Sequence, residues 1–188
     1  MPEQQRGVWL DPAIVERAMV ADQYSLNQSL LDRHSAVVLT MHNDQRHLAA
    51  HQSMLENYVR DGGTLVVQGQ IAMPFLSFLK PYIPLCRPRM DQLIVRRRQA
   101  HPVFDGFNPE SLNIRKGVRG FYGRGHNPPP PDADVLQTIA DDIPLDWFLT
   151  WGKGRVLMHS GNDIWGTYAD ATENRRFALQ LINWCLNR

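Results

Sequence analysis

The chain has 188 residues, 43% of them hydrophobic and 21% charged, with a formal net charge of +1. That length suits a single domain over residues 1–188 with a sizeable core, and the composition is that of an ordinary globular protein. The near-neutral charge argues against nucleic-acid and membrane-surface partners, and no apolar run approaches the roughly 20 residues that cross a bilayer.

The opening MPEQQRGVWL has no charged stretch followed by an apolar one, as a secretory leader would, so the expected location is cytoplasmic. Cys86 and Cys185 belong to no CxxC pair, and a disulfide between them is not expected in a reducing compartment. Asp11-Pro12 reads as an N-cap followed by proline at the first helical position, opening a helix to about Met19. Residues 26–31 are weakly helical. Residues 36–40, AVVLT, form a compact β-branched run, read as a buried parallel strand. Residues 45–60 read as one helix with Leu48, Leu55 and Val59 on a face flanked by His51 and Tyr58. Gly62-Gly63 ends it, because glycine takes the left-handed conformation at a helix C-terminus without penalty. Residues 64–67 are the next strand. Strand, helix and strand with short joins make a βαβ unit with a right-handed crossover.

Pro74, Pro81, Pro84 and Pro88 cut the following segment into short pieces. Residues 93–95 read as a short strand, and 127–131 (NPPPP) as an extended loop. Residues 135–140 and 145–150 read as strands of a hairpin-like excursion. A turn at 151–154 precedes a strong strand at 155–159. Asp170 and Glu173 are spaced as a capping box for the last helix, whose apolar face is Phe177, Ala178, Leu181, Trp184 and Cys185. The expected fold is α/β: a mostly parallel, flavodoxin-like sheet with helices on both faces and an irregular insertion at about 74–131.

Charge is unevenly spread. Residues 85–125 hold nine basic and three acidic side chains, whereas 132–173 hold eight acids against Lys153 and Arg155. Such asymmetry marks an anion site or two regions that neutralise each other. Arg96-Arg97-Arg98 is open to the same two readings, a phosphate contact or a solvated rim. The basic residues are not interleaved with aromatics as on a nucleic-acid surface.

LLDRHSAVVLT, HLAAHQSMLENYVRDGGTLVVQ, HPVFDGF, GKGRVLMHSGNDIW and a terminal helix containing NW, in that order, resemble the ThuA-like branch of the class I glutamine-amidotransferase-like fold. The likeness covers about residues 26–188, and that branch also resembles domains accessory to some sugar-processing enzymes. The resemblance implies an association with sugar metabolism. It also implies an opening strand, for which Gly7-Val8-Trp9-Leu10 is a poor substitute. Amidotransferases of this superfamily carry a nucleophilic cysteine on a strand-to-helix elbow, and the matching elbow here is Gln68-Gly69-Gln70-Ile71. Glutaminase chemistry needs a thiolate and is excluded on that ground. ThuA-like proteins in general also lack that cysteine.

In an open α/β sheet, ligands gather at the carboxyl ends of the strands. The loops expected there carry Met41-His42-Asn43-Asp44, Gln68-Gly69-Gln70 and the run from His159 to Trp165. Asn43 and Asp44 serve equally well as helix caps. Asp163 is placed to orient His159 or His42 for acid–base work, or simply to close a turn. Trp165, with Tyr168, offers a stacking wall for a sugar ring. The loop 121–127 brings Arg124 and His126 on a glycine-freed backbone, as a lid or as a structural contact. His47 and His51 stand at i and i+4, but there is no HExxH and no definite third ligand, so neither a metal nor a cofactor is expected.

The leading expectation is therefore a non-amidotransferase ThuA-like protein. It would bind a small polar ligand, a sugar or sugar derivative, through Asn43, Asp44, Gln70, Arg124, His126, Asn162 and Trp165. One rival is a hydrolase or isomerase with His159 or His42 as base and Asp163 as orienter. Another is an oligomerisation or interaction module, and a homo-oligomer is left open.

Overall fold

In the computed structural model, which describes residues 12–112, 114–115, 117–164 and 172–187, the chain builds one six-stranded sheet with helices on both faces. The first elements are short: α1 (Pro12–Val15), α2 (Gln28–Asp32) and β1 (Ala36–Leu39). The helix expected to reach Met19 stops early because Met19 and Val20 are 59% and 54% exposed and give a further turn no core to bind. The capping residue Asp11 lies outside the described residues. Asn27 caps α2, its side chain accepting from the Leu30 amide.

The helix expected over 45–60 is two helices, α3 (Gln45–Ala50) and α4 (Gln52–Arg60). They part at His51, whose backbone N–H bonds the Leu48 carbonyl while its ring Nδ1 donates to the His47 carbonyl at 2.9 Å. A side chain takes the acceptor that the helix would otherwise use, and the ladder breaks there. At the far end Gly62 adopts φ +119°, and the amides of Gly62 and Gly63 bond the carbonyls of Val59 and Tyr58. This is the Schellman closure expected of the glycine pair. It delivers the chain into β2 (Thr64–Gln68), all five residues of which are buried.

The insertion follows. It contains β3 (Ile83–Pro84), β4 (Arg96–Arg97), β5 (Ile114–Arg115), β6 (Val118–Arg119) and β7 (Gly125–His126). The strand expected at 93–95 is displaced to β4, because residues 90–93 wind into a 3-10 turn in which the Gln92 side chain accepts from the Arg89 amide. The chain then forms β8 (Asp134–Ile139), β9 (Ile143–Trp151), β10 (Gly154–His159) and α5 (Thr172–Leu186).

The sheet order is β1-β2-β10-β9-β8-β4. β1, β2 and β10 run parallel, while β10-β9, β9-β8 and β8-β4 pair antiparallel. The sheet is thus mixed: the expectation of a mostly parallel sheet holds for the β1-β2-β10 half, and the other half is antiparallel. The reason is connection length. Gly152-Lys153 alone joins β9 to β10, and Ala140, Asp141 and Asp142 alone join β8 to β9. Such joins close hairpins and cannot carry a crossover. Gly152 at φ +63° supplies the left-handed turn residue.

Side-chain alternation divides the core. Leu65, Val67, Val156 and Met158 face Leu48, Leu55 and Val59 of α3 and α4. Val66 and Leu157 face Phe177, Ala178 and Leu181 of α5, with Val103, Phe104 and Phe107 of the insertion closing that layer. Arg155 anchors the end of α5. It donates to the carbonyls of Trp184 and Asn187 and to Thr64 Oγ1, with its guanidinium 4.3 Å from the Trp184 ring centroid. Cys86 is exposed and Cys185 buried, and both are free.

His101 sits in the same layer, with ring centroids 5.2 Å from Phe148 and 5.3 Å from Trp184. Burial, reinforced by the Arg155 charge, pushes its pKa down to about 4. In the unfolded chain the imidazole protonates near 6.5. Between about pH 6.5 and 4 the unfolded state therefore binds a proton that the folded state refuses, and stability falls as pH drops through that window. Urea melts of wild type and His101→Phe across this range should show a smaller loss in the variant. Equal losses would remove His101 as the cause.

Candidate functional site

The parallel strands β1, β2 and β10 release their chains at one edge of the sheet, and the loops that follow are tied together by buried polar groups. Gly69 turns the chain out of β2 at φ +110°. A Cβ there would stand 2.8 Å from the Met41 Cα, so only glycine lets the two loops approach so closely. The Gly69 amide bonds the His159 carbonyl. Asp163 Oδ1 accepts from the Met41 amide at 2.7 Å, and Gln68 Oε1 accepts from the Ile164 amide at 2.8 Å. Asp163, 3% exposed, thus acts as a clamp between the first and third loops.

The residue that orients His159 is Asp146, not Asp163. His159 Nδ1 lies 2.6 Å from Asp146 Oδ1, and the two residues face each other in the β9–β10 register. His159 Nε2 lies 3.0 Å from the Asn162 carbonyl, which only accepts, so Nε2 carries a proton. Both ring nitrogens are engaged and the residue is 2% exposed. The geometry therefore offers no accessible base nitrogen. What it offers is a strut running from the core to Asn162. The strut belongs to a row across four strands in register, Gln137, Asp146, His159 and Gln68, all buried.

Above the strut lies a cleft of about 140 Å³. Gln70 comes from the end of β2, Asn162 and Gly161 from the loop after β10, and Phe121, Gly123 and Arg124 from the insertion, with Val118 and Gly120 completing the wall. Asn162 Nδ2 donates to the Phe121 carbonyl at 2.8 Å and joins the two sides. A Cβ on Gly161 would overlap the Tyr122 carbonyl, so the sides meet backbone to backbone. Arg124 Nε and Nη2 donate to the carbonyls of Gly120 and Arg119, which curls the loop around the guanidinium.

Asn127 ties together the segments next to the cleft. Fully buried, it donates from Nδ2 to the carbonyls of Ile71 and Lys80 and accepts at Oδ1 from the Ile71 amide. Its own amide donates to Ser160 Oγ, and its carbonyl accepts from Trp147 Nε1. Proline-rich context hid this hub in the sequence. Asp146 left one trace, an isolated acid inside the apolar run IPLDWFLTW.

Gln70, Arg124 and Asn162 are therefore brought together, and the other expected contacts are not. His42 is exposed on the turn after β1. Asp44 is the cap of α3, accepting from the amides of Arg46 and His47 and from the Tyr24 hydroxyl. Those bonds, the His47 amide first, hold its carboxyl below the usual range. Asn43 bonds the Thr40 carbonyl and lines a separate cavity of about 200 Å³ beside β1. His126 lies on β7 opposite Ile83, and burial lowers its pKa. Trp165 lies outside the described residues. His47 and His51 spend ring nitrogens on the carbonyls of Gln23 and His47, and no metal-holding group of three or more ligating side chains occurs among the described residues.

Fold and site define a mixed α/β protein with a small polar cleft at the carboxyl ends of its parallel strands. No family model matches the chain, and no curated protein matches it. Among solved structures it is similar to Cytoplasmic Protein STM3548 from Salmonella typhimurium, with TM-score 0.58 and 16% identity, covering 94% of this chain and 85% of that one. It is also similar to Cytoplasmic Protein STM1381 from Salmonella typhimurium LT2, with TM-score 0.53 and 13% identity, covering 85% and 75%. At these identities the likeness establishes a shared fold. No helix among the described residues is long and apolar enough to cross a membrane.

Proposed function

We propose that this chain is a ThuA-like protein without amidotransferase chemistry, and that it binds a small carbohydrate-related ligand in the strand-end cleft. The observation that carries this reading is the convergence of Gln70, Asn162 and Arg124 beside Phe121 in one small recess. Amides and a guanidinium suit hydroxyl groups, and an aromatic ring suits the apolar face of a sugar. The order of β1, the helical crossover, β2 and the closing β10–α5 unit agrees with the resemblance. The elbow supports a non-catalytic role, since Gly69 there carries no side chain and Gln70 is no nucleophile. A cytoplasmic setting is supported by the names of the two Salmonella proteins.

A thermal-shift screen against neutral sugars, sugar phosphates and sugar acids tests the reading. A ligand at a hundred times its dissociation constant adds about 2.7 kcal/mol, which raises the melting temperature of a chain this size by about 5–10 °C. Gln70→Ala together with Asn162→Ala should abolish the shift. A shift that survives the double substitution would place the ligand elsewhere.

A further inference from the structure

Resting on the carbohydrate reading of the cleft, we propose that its ligand is an anionic sugar, one bearing a phosphate or carboxylate group that Arg124 receives. Among the described lining residues Arg124 is the sole ionisable side chain, and the rest are amides, glycines, Val118 and Phe121. Vicinal hydroxyls of a neutral sugar are donors whose best acceptors are carboxylates, and no carboxylate lines this cleft.

Arg124 also differs from the ion-paired arginines. Arg60, Arg89 and Arg98 each lie within 3.6 Å of a carboxylate, those of Glu56, Asp91 and Asp142. Arg124 has no carboxylate partner among the described residues. Its Nε and one Nη are spent on the carbonyls of Gly120 and Arg119, which fixes the plane of the guanidinium. The remaining donors are left for an oxyanion in the forked geometry that phosphate and carboxylate accept. Gly120, Gly123 and Gly161 leave the surrounding wall as bare backbone. The segment that supplies Arg124 is the basic one, nine basic against three acidic residues over 85–125. The sugar hydroxyls then fall to Gln70 and Asn162 and the ring face to Phe121.

The test compares glucose, glucose 6-phosphate, glucuronate and inorganic phosphate by thermal shift and calorimetry on wild type, Arg124→Gln and Arg124→Lys. Glucose 6-phosphate or glucuronate should bind about tenfold or more tightly than glucose, and which of the two wins identifies the anion. The preference should vanish in Arg124→Gln and survive in part in Arg124→Lys, which keeps the charge and loses the fork. Because Arg124 also curls its loop, a salt series on wild type stands beside the variants. Raising salt from about 20 to 500 mM should weaken the anionic sugars and spare glucose. Glucose binding as tightly as the anionic sugars overturns the proposal and leaves the carbohydrate reading standing. Inorganic phosphate matching glucose 6-phosphate overturns the sugar half of it. No shift with any of the four probes removes the carbohydrate reading as well.

Discussion

Asp146→Ala lowers the stability of the fold by about 3–5 kcal/mol, read as a shift of the urea midpoint at unchanged slope. Asp146 is fully buried, and the His159 side chain, 2.6 Å away, is 3% exposed. Removing the carboxylate leaves Nδ1 without its acceptor in a place where the neighbouring strands, not water, surround it. It also leaves Nε2 holding the Asn162 carbonyl alone, so the loop after β10 loosens with the core. Replacing both members by leucine should recover part of the loss, since a buried pair is costly to form and costlier to halve. A loss under about 1 kcal/mol for Asp146→Ala would mean that solvent reaches the pair and that the strut does not brace the cleft.

The second large effect is expected at Asn127. Asn127→Ala should cost about 2–4 kcal/mol, because it leaves the amide of buried Ile71 and the carbonyl of Lys80 without this partner and the Ile71 carbonyl with the Tyr82 amide alone. Asn127→Asp should fare no better, since a carboxylate would then face two carbonyl oxygens. Hydrogen exchange supplies the local readout: the Ile71 amide should lose protection in Asn127→Ala and keep more of it in Asn127→Asp, whose Oδ1 can still accept. Retained protection in Asn127→Ala would show that Ile71 is held by something other than this side chain.

The architecture was legible where a local pattern has a single physical solution. AVVLT, the glycine pair and TLVVQ gave β1, the end of α4 and β2, because a β-branched run between helical signals has no other stable home. The apolar stripe of α5 was legible for the same reason. The β8–β9 hairpin is legible in the sequence, whereas the antiparallel β9–β10 pair follows only from the turn length: the two residues between Trp151 and Gly154 cannot carry a crossover. The break at His51 had no such cue, since a ring nitrogen competing for a helix carbonyl leaves the hydrophobic spacing unchanged.

The site divides in the same way. Gln70 and Asn162 were found by strand-end logic, and Arg124 by the composition of its loop. His159 is legible as a strand-end residue, but its burial and its partner depend on which strand lies beside β10. That strand is β9, and it brings Asp146. Asn43 and Asp44 were ambiguous between cap and contact; Asp44 is a cap, and Asn43 lines a different cavity. Asn127 became visible only in three dimensions, because a hub is defined by partners as distant in the chain as Ile71, 56 positions away.

The mixed sheet also orders how the chain is assembled. β8, β9 and β10 are neighbours in sequence and in space, so this meander is built from local contacts of the kind that form early. Its junction with β2 joins Arg155 to Thr64, 91 positions apart. The span between them includes the insertion that bears Arg124 and Phe121. The entropy of closing so long a loop grows only slowly, by about 0.6 kcal/mol for each doubling of its length. The frame therefore tolerates insertions of very different length at this place. Relatives that share the six strands are free to diverge most in the segment that forms the outer wall of the cleft, so ligand preference can change while the sheet stays the same.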